Sequence, residues 1–152
     1  MDYADKKVKL ASEVVQSFVM ISKTLTKFTQ QNAASIGLTI QQMGILNIIY
    51  SSPNTTLKKI TEKLQFPKST VSVCVDELVH LELVERKTSE EDRREINLKL
   101  TTAGEILARK SCQNASSYKA MRSVLENISE EKIESLLLMH HELLMHLQSM
   151  SG

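Results

Sequence analysis

Tryptophan is absent from the 152 residues, and tyrosine and phenylalanine number three each. Glycine and proline are scarce as well, at four and two. Sandwiches and barrels draw on turn residues and on aromatic and β-branched strands, so a sheet-rich fold is disfavoured and long helices are expected. The two cysteines, Cys74 and Cys112, lie far apart and form no CxxC pair, which excludes a disulfide framework. An excess of either charge is also missing: 19 Lys and Arg stand against 18 Asp and Glu, for a net +1. Nucleic-acid binders usually carry a basic surplus, so a case for that function must rest on where the charges sit. No apolar run is long enough to span a bilayer. Residues 1–9 are charged with no apolar core behind them, unlike a secretory signal. A reducing, cytoplasmic setting without a membrane partner is the expectation.

What is present is an ordinary globular balance, 41% hydrophobic and 24% charged, in a length that suits one well-packed domain. Val8, Ala11, Val14, Val15, Phe18, Ile21, Leu25 and Phe28 recur at steps of three and four and predict a helix over about 3–29, with a break over 30–37. Thr39 and Gln42 form a capping box that opens a second helix over about 40–50, closed by Ser51-Ser52-Pro53-Asn54. A short helix follows with Leu57, Ile60 and Leu64 on its inner face. After a tight connection holding Pro67, another runs over about 69–81 with Val71, Cys74, Val75 and Leu78 inward. The period then drops to two. Residues 84–87 read as one strand, and Ile96, Leu98 and Leu100 as the buried face of a second, around a polar tip at 88–94. Thr102 with Glu105 predicts a cap for a long helix reaching 121 or 125, and Ser129-Glu130-Glu131 opens the last one. The expected fold is mainly α with a small β-hairpin. Its regions are an N-terminal helical segment (3–37), a central segment (38–101) and C-terminal helices (102–152) within a single domain.

Two short helices joined by a tight turn, followed by a hairpin, make a winged helix-turn-helix, and residues 55–101 hold its parts in order. The second helix of such a pair places its early residues at base edges in the major groove of double-stranded DNA; here those are Lys68, Ser69, Thr70, Ser72 and Val73. The hydroxyls can donate to or accept from phosphates and bases, and Val73 can touch a thymine methyl. Asp76 and Glu77 lie further along the same face and repel phosphates unless they accept from cytosine or pair with a nearby base-contacting lysine. Arg86, Lys87, Arg93 and Arg94 surround the acidic Glu90-Glu91-Asp92 turn. An arginine at a hairpin tip fits a narrow A·T-rich minor groove, and a neighbouring aspartate can orient its guanidinium.

The runs Lys68-Ser69-Thr70-Val71-Ser72, Leu83-Val84-Glu85-Arg86, Asp92-Arg93-Arg94 and Leu98-Lys99-Leu100-Thr101-Thr102-Ala103-Gly104, with Leu38-Thr39-x-x-Gln42 upstream, resemble the multiple-antibiotic-resistance regulator (MarR) family over about 38–105. The resemblance implies a homodimer in which the first and last helices of both subunits intertwine. It implies recognition helices in the two halves of a pseudo-palindrome, wings in the flanking minor grooves, and a small-molecule effector as the usual switch of a repressor. It carries Arg94 over as the wing-tip arginine, Asp92 as its orienting partner, and Arg93 and Arg86 as phosphate contacts. Four positions depart from the family pattern. Val73 and Glu77 stand where many members have a recognition-helix arginine, Glu82 where a glycine closes that helix, and Pro67 where a capping hydroxyl is common. Reading of guanine by arginine from this helix is therefore weak.

The apolar stripes of 8–28 and 133–150 admit two readings, an intramolecular core or a subunit interface. The interface reading assigns Val8, Val14, Phe18, Leu136, His140, Leu143, Leu144 and Leu147 to the dimer contact. His140, His141 and His146 cluster near the end, but no two are four apart, so a metal site is not expected and no cofactor is called for. Cys74 reads as a small hydrophobe and Cys112 as partly exposed. Met20, Phe28, Met43, Tyr50 and Tyr118 are candidates for lining an effector site, although residues of this kind are more often core. No nucleophile elbow, phosphate loop or HExxH pattern occurs, so an enzyme is not expected. The rival reading is a winged module for protein contacts with weak DNA affinity, favoured by the near-zero charge and the recognition-helix acids.

Overall fold

A computed structural model describes residues 5–152; the expected helix start at Tyr3 lies outside them. The elements are α1 (Lys6–Ser35), α2 (Ile40–Ser51), α3 (Leu57–Leu64), α4 (Lys68–His80), β1 (Val84–Thr88), β2 (Ile96–Leu100), α5 (Thr102–Gln113), α6 (Ser116–Leu125) and α7 (Glu130–Met150). They fall into two compact units, Met1–Ser116 and Ser117–Gly152.

In the first unit the core forms where α2, α3, α4 and the hairpin converge. Ile45, Leu46 and Ile49 from α2, Ile60 from α3 and Val71, Val75 and Leu78 from α4 are fully enclosed. On α4 the buried set 71, 74, 75 and 78 follows the helical period read from the sequence. The hairpin is antiparallel, with Val84 opposite Leu100 and Arg86 opposite Leu98. Its second strand is also held on the other edge, where the Leu98 amide donates to the Thr55 carbonyl at 2.8 Å. Thr39 caps α2 as expected: its hydroxyl accepts from the Gln42 amide while the Gln42 side chain accepts from the Thr39 amide.

Several expectations change. The first helix continues through the proposed break to Ser35, because Asn32 and Ala33 are buried, and Gly37 at φ +73° turns the chain only after them. Asn32 donates to the Ser111 carbonyl at 3.1 Å, and the Ser111 hydroxyl donates to Asn47, so a polar chain joins α1, α5 and α2. Ile96 is half exposed instead of buried, since it pairs with Thr88 at the tip end, beyond the reach of the helices. The cap after the hairpin is Thr101, one residue earlier than read; its hydroxyl accepts from Gly104. The long helix expected there is two, interrupted at Asn114, whose carbonyl takes the Ser116 hydroxyl instead of continuing the helical ladder. Pro67 is the N-cap of α4, not its first residue, and offers no side-chain acceptor.

The exit from α4 explains one family departure. Glu82 has φ 60°, a left-handed conformation that costs a residue bearing Cβ about 1–2 kcal/mol and glycine almost nothing. Glu82→Gly is expected to stabilise by about 1 kcal/mol and raise the melting temperature by about 2–4 °C. A thermal melt at fixed protomer concentration checks this, and a lower melting point would refute it.

Candidate nucleic-acid interface

Helix α4 buries one face, and its other face carries Ser69, Ser72, Val73, Asp76 and Glu77 at steps of three and four. Lys68, Ser69 and Val73 are exposed, and Thr70 and Ser72 half-buried. With Pro67 as the cap, no side chain accepts from the first-turn amides, so the positive end of the helix stays open to an anion.

The two acids are both engaged. The Asp76 carboxylate accepts from the Arg86 guanidinium in an ion pair. Glu77 accepts from the Gln42 side-chain amide at 2.6 Å. The Arg86 pairing follows from the strand period: residues 84, 86 and 88 share a face, so Arg86 extends past buried Val84 towards α4. On the opposite face Lys87 pairs with Glu85 at 3.7 Å. Arg86, assigned from the sequence as a phosphate contact, thus has its guanidinium on a recognition-helix carboxylate.

At the wing tip, buried Ser89 organises the turn by accepting from the amides of Glu91 and Asp92. Asp92, Arg93 and Arg94 are exposed. Asp92 meets Arg94 at the backbone, its carboxylate accepting from the Arg94 amide at 3.0 Å, in place of the expected guanidinium contact. The aspartate therefore shapes the chain beneath Arg94 and leaves its side chain directed by the turn. The base of the wing is fixed by Thr101, whose hydroxyl donates to the Glu82 carbonyl at 2.7 Å and whose amide donates to the Leu83 carbonyl at 3.1 Å.

The proposed dimer residues lie on two helices. Val14, Phe18, Leu136, Leu143, Leu144 and Leu147 are all more than a third exposed, His140 is exposed, and Val8 is half-buried. Helix α7 has no buried residue along its 21 positions. A long leucine-rich helix gains little from folding unless its apolar face is covered.

Cys74 is buried and Cys112 exposed, and both are free. Burial, with the Glu77 carboxylate adding to it, pushes the Cys74 thiol above its ordinary value, which keeps it protonated and unreactive. Among the described residues no cluster of His, Cys, Asp and Glu is placed to hold a metal ion, and no helix is long and apolar enough to cross a membrane. Of the candidate effector residues, Met43 belongs to the core while Met20 and Tyr118 are exposed. The cavity between α1 and α2, about 430 Å³, is lined instead by Thr26, Gln30, Ala33, Leu38, Thr39, Ile40 and Gln41. Sequence reasoning missed the Gln42–Glu77 and Asp76–Arg86 links. The second was signalled only by opposite charges near each end of the short connection from helix to strand.

Comparison with known proteins agrees with this architecture. Residues 36–95 match the profile of the MarR family. The HTH-type transcriptional regulator MgrA of Staphylococcus aureus is 30% identical over 100 residues, spanning 66% of this chain and 67% of that protein. A multiple antibiotic-resistance repressor (MarR) from Listeria monocytogenes 4b F2365 is 34% identical, with 95% of this chain and 98% of that one covered and a TM-score of 0.62. The S. aureus MepR–DNA complex shares the fold with a TM-score of 0.76, at 24% identity over 87% of this chain and 96% of that one. The relatives are transcription regulators, not enzymes.

Proposed function

This chain belongs to the MarR family of winged helix-turn-helix transcription regulators, and on that premise we propose that it acts in the cytoplasm as a homodimeric repressor on a pseudo-palindromic operator. The observation that carries the reading is the joining of two exposed readers by the Asp76–Arg86 pair: the hydroxyl-rich face of α4 and the arginine-bearing wing. Lys68, Ser69, Thr70, Ser72 and Val73 meet the major groove, with the open first-turn amides of α4 against a phosphate. Arg94 enters the flanking minor groove, with Arg93 and Lys87 on the backbone. The apolar faces of α1 and α7 are covered by a second copy, which supplies the other half-site. Repression follows from occupying a promoter that polymerase needs. A small-molecule effector releases the operator by favouring a dimer whose recognition helices are wrongly spaced for successive grooves. The acids that favoured a protein-contact module are accounted for by Arg86 and Gln42.

Selection of bound fragments from the host genome tests this. The expected product is a palindrome with half-site centres about one helical turn apart. Arg94→Ala should weaken binding to it by about 1–3 kcal/mol, roughly 5- to 150-fold. No enrichment, or an indifferent Arg94→Ala variant, would favour the protein-contact reading instead.

A further inference from the structure

We propose that Asp76 and Arg86 form a strut that sets the wing against the recognition helix, so that both are positioning residues for DNA reading and Arg86 is not a phosphate contact. The inference rests on the proposed operator binding. Two carboxylates on a face that meets a polyanion oppose binding on charge alone. Both are nevertheless tied down on different sides of α4. Asp76 is held by Arg86 of β1, and Glu77 by Gln42, whose own carbonyl oxygen accepts from the Thr39 amide at 3.0 Å.

Fold stability does not explain the Asp76–Arg86 pair. Its side chains are 41% (Arg86) and 62% (Asp76) exposed, and pairs that open to water add little to stability. What the pair fixes is a direction. The hairpin has only two strands, leaves α4 through a strained Glu82, and carries Arg94 at its far end. The Thr55 carbonyl holds the β2 edge at Leu98, but among the described residues β1 has no strand on its outer side, and a two-stranded ribbon twists easily beyond its anchors. Arg86 lies towards its root and grips the third turn of α4, so a small rotation about the root is prevented before it becomes a large displacement at the tip. The pair joins one guanidinium nitrogen to one carboxylate oxygen, a charge-assisted bond that fixes the separation of strand and helix.

Charge and geometry predict opposite signs for the same substitution, which makes the inference testable. Titrations of the genomically selected fragment would compare wild type, Asp76→Asn, Arg86→Gln, the double variant and Asp76→Glu, each over a series of salt concentrations, with melting temperatures as the folding control. The expected result is that Asp76→Asn weakens binding about tenfold despite removing a negative charge. Arg86→Gln should weaken it similarly, the double variant should be no worse than either single one, and Asp76→Glu should recover part of the affinity. If Arg86 contacts a phosphate, Asp76→Asn binds as tightly or more tightly. Arg86→Gln then loses affinity in both backgrounds, and its salt slope falls by about one. That outcome with a binding wild type overturns this inference alone, whereas a wild type that selects no fragment overturns the proposed function and the strut with it.

Discussion

Gly104→Ala is expected to cripple the protein, although it adds one methyl group. A Cβ at that position would sit 2.0 Å from the Leu83 carbonyl oxygen and 3.0 Å from its carbon, both of them backbone atoms with no rotamer to escape through. The first turn of α5 must then lift away from the root of the wing. That movement strains the bonds from Thr101 to the Glu82 and Leu83 carbonyls, which fix where β1 begins. Overpacking against backbone costs about 3 kcal/mol or more, and for a chain of this size that lowers the melting temperature by roughly 10 °C. Operator affinity should fall as well, because the wing loses its anchored base. Gly44→Ala is the matched control. Nothing lies within 4 Å of its added Cβ, and alanine in a helix interior is favoured over glycine by about 0.5–1 kcal/mol. The same substitution is thus expected to destabilise at one glycine and stabilise at the other. Thermal melts of equal sign would refute the packing account.

Leu144→Glu is expected to convert the protein to a monomer and abolish operator binding. Leu144 is 53% exposed on α7, between Leu143 and Leu147, on a helix with no fully buried residue. In a two-fold interface the substitution appears twice, placing two carboxylates in apolar surroundings. At about 2–4 kcal/mol for each buried, unsatisfied group, dimer affinity falls by about three to six powers of ten. Light scattering should read the 17.1 kDa of one chain in place of twice that mass. The first unit keeps its own core, so far-UV circular dichroism should retain most of the helical signal. A variant that remains dimeric would show that something other than a second copy covers this surface. A monomer that binds the selected operator with undiminished affinity would dissociate dimerisation from recognition.

The relation between sequence and fold differs from one element to the next. On α4 the inner set Val71, Cys74, Val75 and Leu78 was legible, because burial on a packed helix repeats every three to four residues. Ile96 kept the strand alternation but not the burial, since alternation records a face and says nothing of how far the covering helices extend. The interruption at Asn114 was missed because the apolar pattern runs across it. Asp92 was read as the residue that orients the Arg94 guanidinium, but its contact is with the Arg94 amide. A turn geometry decided that, and side-chain charge did not.

With few glycines, prolines and aromatics, the chain had little choice beyond long helices and one short hairpin. Periodicity and capping hydroxyls identified the winged architecture, and the Asp92-Arg93-Arg94 tip marked an element proposed to face DNA. Those signals are local, carried by residues within a turn or two of one another. The lack of net charge was the part the sequence left open, because two acids on the recognition helix read equally as repulsion from DNA or as evidence for another partner. Only the tertiary structure decided that Asp76 meets Arg86 and Glu77 meets Gln42. Which charges neutralise one another depends on how α2, α4 and β1 approach in space, and that approach is set by the shared core beneath them.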